Sequence, residues 1–344
     1  MHEGPFCLAA AEVAGKHCFD KVFRDRPLWA DIANGLRLAE RRDDQLTLGE
    51  WQHGWQYYAS DALERHECDG LLRELALPSM RANAASSGKA RLHSCMGPFS
   101  GVWLTACPSS EALVFGNWDL MCAMRRRLGI AVVGASGEVH GHDAFGDNQG
   151  GRLNARHSCL VAAWRQVFCE AGGSVPDRNV ERLLSDTNVP TDPDDLRRLD
   201  LVVPGLNVHR GLPLFVDVTV ISPLTCTGEA RGGTSNRGGA LLEQAETENR
   251  STYAIVVQSG LGSLQGLGCE VFGRWSKQSV ELVPVLARER SRGSHPRIRR
   301  GVALSLQHRW WGILGVALQK AVAHLVYDRV AGADLVQTQL EPMP

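Results

Sequence analysis

The chain lacks the sequence features that mark several large classes of protein. Its ten cysteines are scattered without a Cys-x-x-Cys pair, and no basic start followed by an apolar segment resembles a secretory signal. No run of about 18 apolar residues is present, so we expect no membrane span. These absences predict reduced, mostly buried thiols and a nuclear or cytoplasmic location.

Motifs of two further enzyme classes are also missing. The sequence contains neither a Gly-x-x-x-x-Gly-Lys-Ser/Thr loop nor a dinucleotide-binding fingerprint, which argues against nucleotide-driven chemistry. It contains no Gly-x-Ser-x-Gly elbow either, so a serine hydrolase of that type is not expected.

Length and composition are those of an ordinary folded protein. The 344 residues leave room for two domains, and 44% are hydrophobic while 22% are charged. A formal net charge of −1 excludes a strongly basic nucleic-acid binder, but arginine is concentrated locally. The two clusters are Arg125, Arg126 and Arg127, and then Arg288, Arg290, Arg292, Arg297, Arg299, Arg300 and Arg309. Each cluster is either a solvated face or a set of phosphate contacts.

Two apolar segments, 197–203 and 214–220, each carry one carboxylate, Asp200 and Asp217. Turn-forming residues separate them, which predicts a hairpin-like pair of strands. A buried carboxylate is costly unless it is paired or binds a metal, and two on adjacent strands could share one Mg²⁺ or Mn²⁺. The alternative is that each accepts hydrogen bonds from a neighbouring arginine, Arg197 or Arg198.

The remaining pattern predicts an α/β protein with a mixed sheet. Helices are expected at 116–130, 155–171, 240–253, 279–290 and 302–327, the last broken or kinked near Gly312 and Gly315. Short strands are expected at 254–257 and 270–272. We expect 1–133 to be a mainly helical N-terminal region, 134–152 a glycine-rich linker, 153–291 the α/β domain and 292–344 a C-terminal helix and tail. The segment Arg309, Trp310 and Trp311 is expected to dock the last helix on the core.

Eight segments occur in an order that is typical of one family. They are EWQHGWQ at 50–56, GVWLTACPS at 101–109, RRRLG at 125–129, DAFGD at 143–147, RRLDL at 197–201, DVTVISPL at 217–224, EVFGRW at 270–275 and RWWG at 309–312. In these segments the chain resembles the C-terminal, restriction-endonuclease-like region of non-LTR (LINE-type) retrotransposon reverse-transcriptase polyproteins. No Tyr/Phe-x-Asp-Asp segment accompanies them, so the reverse transcriptase itself is missing.

The resemblance implies a fold and a site. The fold would be a restriction-endonuclease-like (PD-(D/E)XK-type) mixed sheet flanked by helices, behind the helical N-terminal region. Asp200 and Asp217 would hold Mg²⁺ or Mn²⁺, with Glu170 as a third oxygen ligand, and the protein would nick target DNA. Its partners would be DNA, RNA of the parent element and a separate reverse transcriptase. The nucleic-acid contacts would come from Arg125, Arg126, Arg127, Arg297, Arg299 and Arg300.

The lysine that such nucleases use is absent from both of its usual positions. Thr219 occupies the first, two residues after Asp217, and Asn249 occupies the second, four residues ahead of Tyr253. Arg250 is the nearest substitute, since a permanent cation offsets charge although it cannot take up a proton. Glu270 either extends the site or caps a turn. Cleavage is therefore expected to be slow or absent.

A cysteine/histidine knuckle normally surrounds the 143–147 segment in this family. Here its cysteines are missing, and Asn148 stands where a histidine is expected. His140, His142, Asp147 and His157 remain, but four ligands at tight spacing are what zinc requires. Zinc is therefore not expected.

Three functions stay open at this point. The chain is an active metal-dependent endonuclease, an inactive pseudonuclease that binds nucleic acid or protein, or a structural protein whose helical half holds a partner.

Overall fold

The computed structural model describes residues 68–75, 82–132, 141–145, 151–176 and 181–340. The chain divides into two units, Met1–Met80 and Arg81–Pro344. In the first unit, residues 68–74 are helical. The 50–56 segment, His140, Asp147 and Asn148 lie outside the described residues.

The described part of the second unit contains seven α-helices and five β-strands. The helices are α1 (Ala82–Cys95), α2 (Asn117–Leu128), α3 (Arg152–Ala171), α4 (Ala240–Thr252), α5 (Ala254–Ser259), α6 (Lys277–Ser291) and α7 (Arg299–Leu340). The strands are β1 (Arg182–Leu183), β2 (Arg198–Leu199), β3 (Leu201–Val203), β4 (Leu214–Ile221) and β5 (Ser263–Glu270). Short 3-10 turns occur at Val102–Thr105, Glu111–Leu113, Asp143–Phe145, Leu184–Asp186 and His209–Gly211.

The central sheet has three strands in the order β3-β4-β5. β3 and β4 are antiparallel, as the hairpin prediction required, whereas β4 and β5 are parallel and are joined through α4 and α5. β4 is central, and Leu214, Phe215 and Val216 at its start are fully buried. β1 and β2 form a separate antiparallel pair. The predicted mixed α/β class is confirmed.

Two strand predictions were wrong. Residues 254–257 belong to α5, although their Ala-Ile-Val-Val composition favours a strand. The strand predicted at 270–272 lies earlier, because β5 ends at Glu270 and a turn follows. β5 was missed because Gly266 and Gly268 interrupt its apolar pattern.

The last helix, α7, runs as one helix through Gly312 and Gly315, so the predicted break is wrong. A Cβ at these glycines would lie 3.2 Å from Leu113 and 3.3 Å from Trp103, so the glycines let two 3-10 turns pack closely against α7. Trp310 is fully buried, which confirms that this segment docks the helix on the core. Among the described residues, no helix combines the length and the apolar character needed to cross a membrane.

One large core unites the sheet with helices from both ends of the unit. It contains Ala90 of α1, Cys122 of α2, Trp164 of α3, Val216 of β4 and Leu314 of α7. The described residues between 82 and 132 therefore pack with the α/β domain. The limits predicted near residues 133, 152 and 291 fall inside this unit and do not separate distinct cores.

Candidate metal-binding site

Asp200 and Asp217 lie close together at the hairpin, where the Asp200 carboxylate reaches the backbone of Val218. Leu201 of β3 pairs with Val216 of β4, the residue before Asp217, and the regular pairing ends there because Asp200 lies in a bend between β2 and β3. The Asp200 N–H donates to the Val216 carbonyl at 3.0 Å, so Asp200 and Leu201 both face Val216, as in a β-bulge. The hairpin thus brings together the two acidic residues that the sequence identified.

Asp200 is held through one carboxylate oxygen. Its Oδ2 accepts hydrogen bonds from the Val218 N–H at 2.6 Å and from His157 Nε2 at 3.1 Å. His157 Nε2 is also 2.9 Å from the Val218 carbonyl, which can only accept, so Nε2 carries the hydrogen. The hydrogen bond to Asp200 raises the pKa of His157 against the opposing effect of burial.

Asp217 is held by the helix that follows β4. Its Oδ2 accepts from Asn249 Nδ2 at 2.6 Å and from Thr219 Oγ1 at 3.3 Å. The Tyr253 hydroxyl donates to the Arg198 carbonyl and lies 3.4 Å from Asp217 Oδ1. Burial, and then the charge of Asp200, raise the pKa of Asp217 to about 6. Asn249 and Tyr253 of the predicted helix therefore do reach this carboxylate.

The neighbouring arginines do not pair with the two carboxylates. Arg197 binds Asp195 at 2.6 Å and the Thr252 carbonyl, while the Arg198 guanidinium is 3.6 Å from Glu181. Within the described ranges, no arginine or lysine forms an ion pair with either member of the acidic pair. The arginine-pairing alternative therefore does not account for these two residues.

Glu170 is not brought to the acidic pair, which corrects its assignment as a third ligand. Its carboxylate accepts two hydrogen bonds from Arg309, at 2.8 and 3.0 Å, and one from Trp310 Nε1 at 2.8 Å. It lies thirteen residues beyond His157 on α3, or about 20 Å along the helix. Glu170 therefore joins α3 to α7.

Arg250 and Glu270 are also separate from the pair. Arg250 points outward, with 64% of its side chain exposed and Glu246 3.5 Å away, because successive helical residues diverge by about 100°. It is not a substitute for the missing lysine. Glu270 is opposite Ile221, four residues along β4 from Asp217 and thus about 13 Å away.

The two described histidines of the knuckle region, His142 and His157, have separate neighbours. His142 is buried beside Gly228, and His157 is the partner of Asp200. Across the described segments, no group of three or more His, Cys, Asp or Glu side chains could hold a metal ion. The acidic pair, Asp200 and Asp217, supplies only two side chains of these types.

Two of the three clustered arginines on α2 have structural roles. Arg126 is 4% exposed, with its guanidinium 4.5 Å from the centroid of the Phe145 ring. Arg127 donates to the carbonyls of Cys95, Ser100 and Phe272. The predicted phosphate contacts from Arg126 and Arg127 are therefore corrected, whereas Arg125 is exposed and donates to the Ala131 carbonyl.

The corner between α6 and α7 carries the second arginine cluster. Its exposed members are Arg288, Arg290, Arg292, Arg297, Arg299 and Arg300. Arg292 pairs with Glu289 at 3.0 Å, and Arg299 donates weakly to the Ser294 carbonyl at 3.4 Å. We call these six residues the arginine corner; they give this end of the unit a strongly positive surface.

Two polar residues, His157 and Gln278, were not predicted to lie near the acidic pair. His157 is separated from Asp200 by 43 residues, so no local pattern reveals it. Gln278 of α6 accepts from the Gly266 N–H at 2.6 Å and donates to Glu246 at 2.7 Å. Gly266 is the register partner of Asp217, so this network adjoins the carboxylate on its β5 side.

Chemically, the site offers two carboxylates of one hairpin, a histidine donor and an amide, which suits a hard divalent cation. No protein-family model matches this chain, and neither a curated protein nor a solved structure does. The restriction-endonuclease-like fold and the relationship with retrotransposon polyproteins therefore stay predictions.

Proposed function

We propose that this protein is an endonuclease-like protein derived from a non-LTR retrotransposon polyprotein, with a divalent cation held by Asp200 and Asp217. The observation that carries this proposal is the proximity of two carboxylates at one hairpin, with no arginine or lysine partner among the described residues. Burial and the charge of Asp200 keep the pKa of Asp217 near 6. A cation would relieve the repulsion between the two carboxylates.

The residues around the pair favour binding through specific oxygens. Oδ2 of Asp200 and Oδ2 of Asp217 are engaged by close protein donors, whereas Oδ1 of Asp217 has only the long contact from the Tyr253 hydroxyl at 3.4 Å. The Oδ1 atoms are therefore the less engaged oxygens for Mg²⁺ or Mn²⁺. The cation would supply charge for the scissile phosphate and lower the pKa of a bound water. His157 fixes the rotamer of Asp200, and Tyr253 ties α4 to the strand backbone at Arg198.

Turnover is expected to be slow or absent. Asn249 stands at the position of the family's lysine, and a neutral amide cannot offset charge on a transferring phosphate. This contact also favours a second candidate, a protein that binds nucleic acid without cutting it.

DNA is the proposed partner, through the arginine corner. Unlike Arg126 and Arg127, the corner arginines are exposed, and Arg guanidinium groups bind phosphate oxygens in bidentate geometry. RNA of the parent element and a separate reverse transcriptase are further partners that the resemblance implies.

A supercoiled-plasmid nicking assay with Mg²⁺ and with Mn²⁺ tests the proposal. Wild type is compared with Asp217→Ala and with Asp194→Ala, which removes an exposed carboxylate. Metal-dependent nicking that Asp217→Ala loses and Asp194→Ala keeps supports an active nuclease. If folded wild type neither nicks nor binds Mn²⁺ more tightly than Asp217→Ala, the metal-site proposal is wrong. Mn²⁺ and DNA binding without nicking supports the second candidate.

A further inference from the structure

Asn249 has a buried acceptor atom without a partner. Its side chain is 9% exposed, and within the described chain its Oδ1 atom accepts no hydrogen bond. A buried amide carbonyl without a partner is unfavourable, and such atoms in folded proteins are rare enough to need a cause. This carbonyl belongs to the amide that contacts Asp217.

The orientation of the amide is determined by its other atom. Nδ2 lies 2.6 Å from Asp217 Oδ2. Exchanging Nδ2 and Oδ1 would put two acceptor oxygens at that distance, which an ionised carboxylate does not tolerate. The unpaired atom is therefore the carbonyl oxygen.

The packing around Asn249 keeps the amide beside the strands. A Cβ added to Gly266 of β5 would lie 3.6 Å from Asn249 Nδ2 and 3.3 Å from Gln278 Oε1. The glycine thus leaves room for the amide between α4 and the sheet. Asn249 is held next to Asp217 by packing as well as by the hydrogen bond.

We propose that Oδ1 of Asn249 is a third oxygen ligand of the cation held by Asp200 and Asp217. This inference rests on the proposed function. Amide carbonyl oxygens are among the ordinary ligands of hard divalent cations, and this one has no competing donor among the described residues. The replacement of lysine by Asn249 then removes a positive charge from the site and adds a neutral ligand, so the site binds a cation better than it cleaves.

Mn²⁺ binding to the full chain, followed by the EPR signal of free Mn²⁺, tests this role. Asn249→Leu keeps the side-chain volume but removes both polar atoms, and we expect it to weaken Mn²⁺ binding about tenfold or more. If Asn249 acted only as a hydrogen-bond donor, Asn249→Leu would have the opposite effect on Mn²⁺ affinity. Loss of the Nδ2 hydrogen bond would leave Asp217 Oδ2 more basic, so Mn²⁺ binding would stay unchanged or become tighter.

Four further variants separate the outcomes. Asn249→Asp restores a ligand oxygen with added charge and should bind Mn²⁺ at least as tightly as wild type; Asn236→Leu, at an exposed position, should match wild type. If Asn249→Leu fails to fold, Asn249→Ala replaces it. Unchanged affinity in a folded Asn249→Leu or Asn249→Ala overturns the inference, while loss of binding in Asp217→Asn still supports the proposed function. Equal Mn²⁺ affinities of wild type and Asp217→Asn would overturn both the role of Asn249 and the proposed function.

Discussion

Arg309 of α7 and Glu170 of α3 form a two-point ion pair, with Nε–Oε2 and Nη2–Oε1 distances of 3.0 and 2.8 Å. Trp310 Nε1 donates to the same carboxylate, and Gln166 donates to it from the preceding turn of α3. Burial opposes ionisation of Glu170, but these donors together lower its pKa. The contact joins two helices of the core.

Glu170→Ala should therefore destabilise the fold and leave the metal site intact. We expect the free energy of unfolding to fall by about 2 kcal/mol, because charged hydrogen bonds are lost and the Trp310 N–H loses its acceptor. Urea denaturation measures this. Glu281→Ala, which removes an exposed i,i+4 pair with Lys277, should change stability by less than about 0.5 kcal/mol. Weakened Mn²⁺ binding in a folded Glu170→Ala protein would contradict this assignment.

Asp217 should make stability depend on pH when no metal is present. In the unfolded chain an aspartate ionises near pH 4, whereas folded Asp217 has a pKa of about 6. Between these values the folded state binds more protons, so the contribution of Asp217 to stability falls as pH rises. Relative to wild type, Asp217→Asn should gain about 2 to 3 kcal/mol between pH 4 and pH 7.

Urea denaturation in EDTA across this pH range checks the prediction. The control, Asp194→Asn, changes an exposed carboxylate and should follow the wild-type curve. Parallel wild-type and Asp217→Asn curves would mean that Asp217 ionises normally.

Arg127 should contribute to stability rather than to nucleic-acid binding. Arg127→Ala removes the donor to three backbone carbonyls and should cost about 3 kcal/mol, measured by chemical denaturation. Arg125→Ala removes one exposed hydrogen bond and should cost less than about 1 kcal/mol. An Arg127→Ala protein of unchanged stability with weakened DNA binding would reverse this assignment.

The arginine corner should contact phosphates. We expect the double variant Arg299→Ala/Arg300→Ala to weaken DNA binding at low salt and to reduce the slope of log K against log salt by up to about 2. Fluorescence anisotropy over a salt series measures both. Arg182→Ala/Arg231→Ala removes two exposed arginines elsewhere and should keep the wild-type slope. Equal slopes for the two double variants would exclude the corner as the DNA-binding surface.

Much of the fold follows from local patterns, because long helices and the two carboxylate-bearing strands have regular periodicity. α3 was predicted from buried residues at helical spacing, and it begins at Arg152, earlier than expected. β5 was missed, since its glycines are required by neighbours distant in sequence: a Cβ at Gly268 would lie 3.0 Å from Leu242. The local amino-acid sequence does not reveal such contacts between residues that are distant along the chain.

The site was predicted only where its residues lie on the hairpin or the following helix. Asp200 and Asp217 are brought together by the hairpin, and Asn249 was identified by its position before Tyr253. His157 and Glu170 lie on the same helix, and only the tertiary structure distinguishes the one that faces Asp200 from the one that binds Arg309. Burial in the folded structure likewise distinguishes Arg126 from the exposed residues of the arginine corner.

The position of α7 in the chain has a consequence during synthesis. Trp310, Trp311 and Leu325 cover the same core as Ala90 of α1. A nascent chain must therefore extend past residue 325 before the apolar faces of the earlier helices are covered. Until then those faces are open to chaperones and to other chains, so completion of the unit depends on contacts across more than 200 residues.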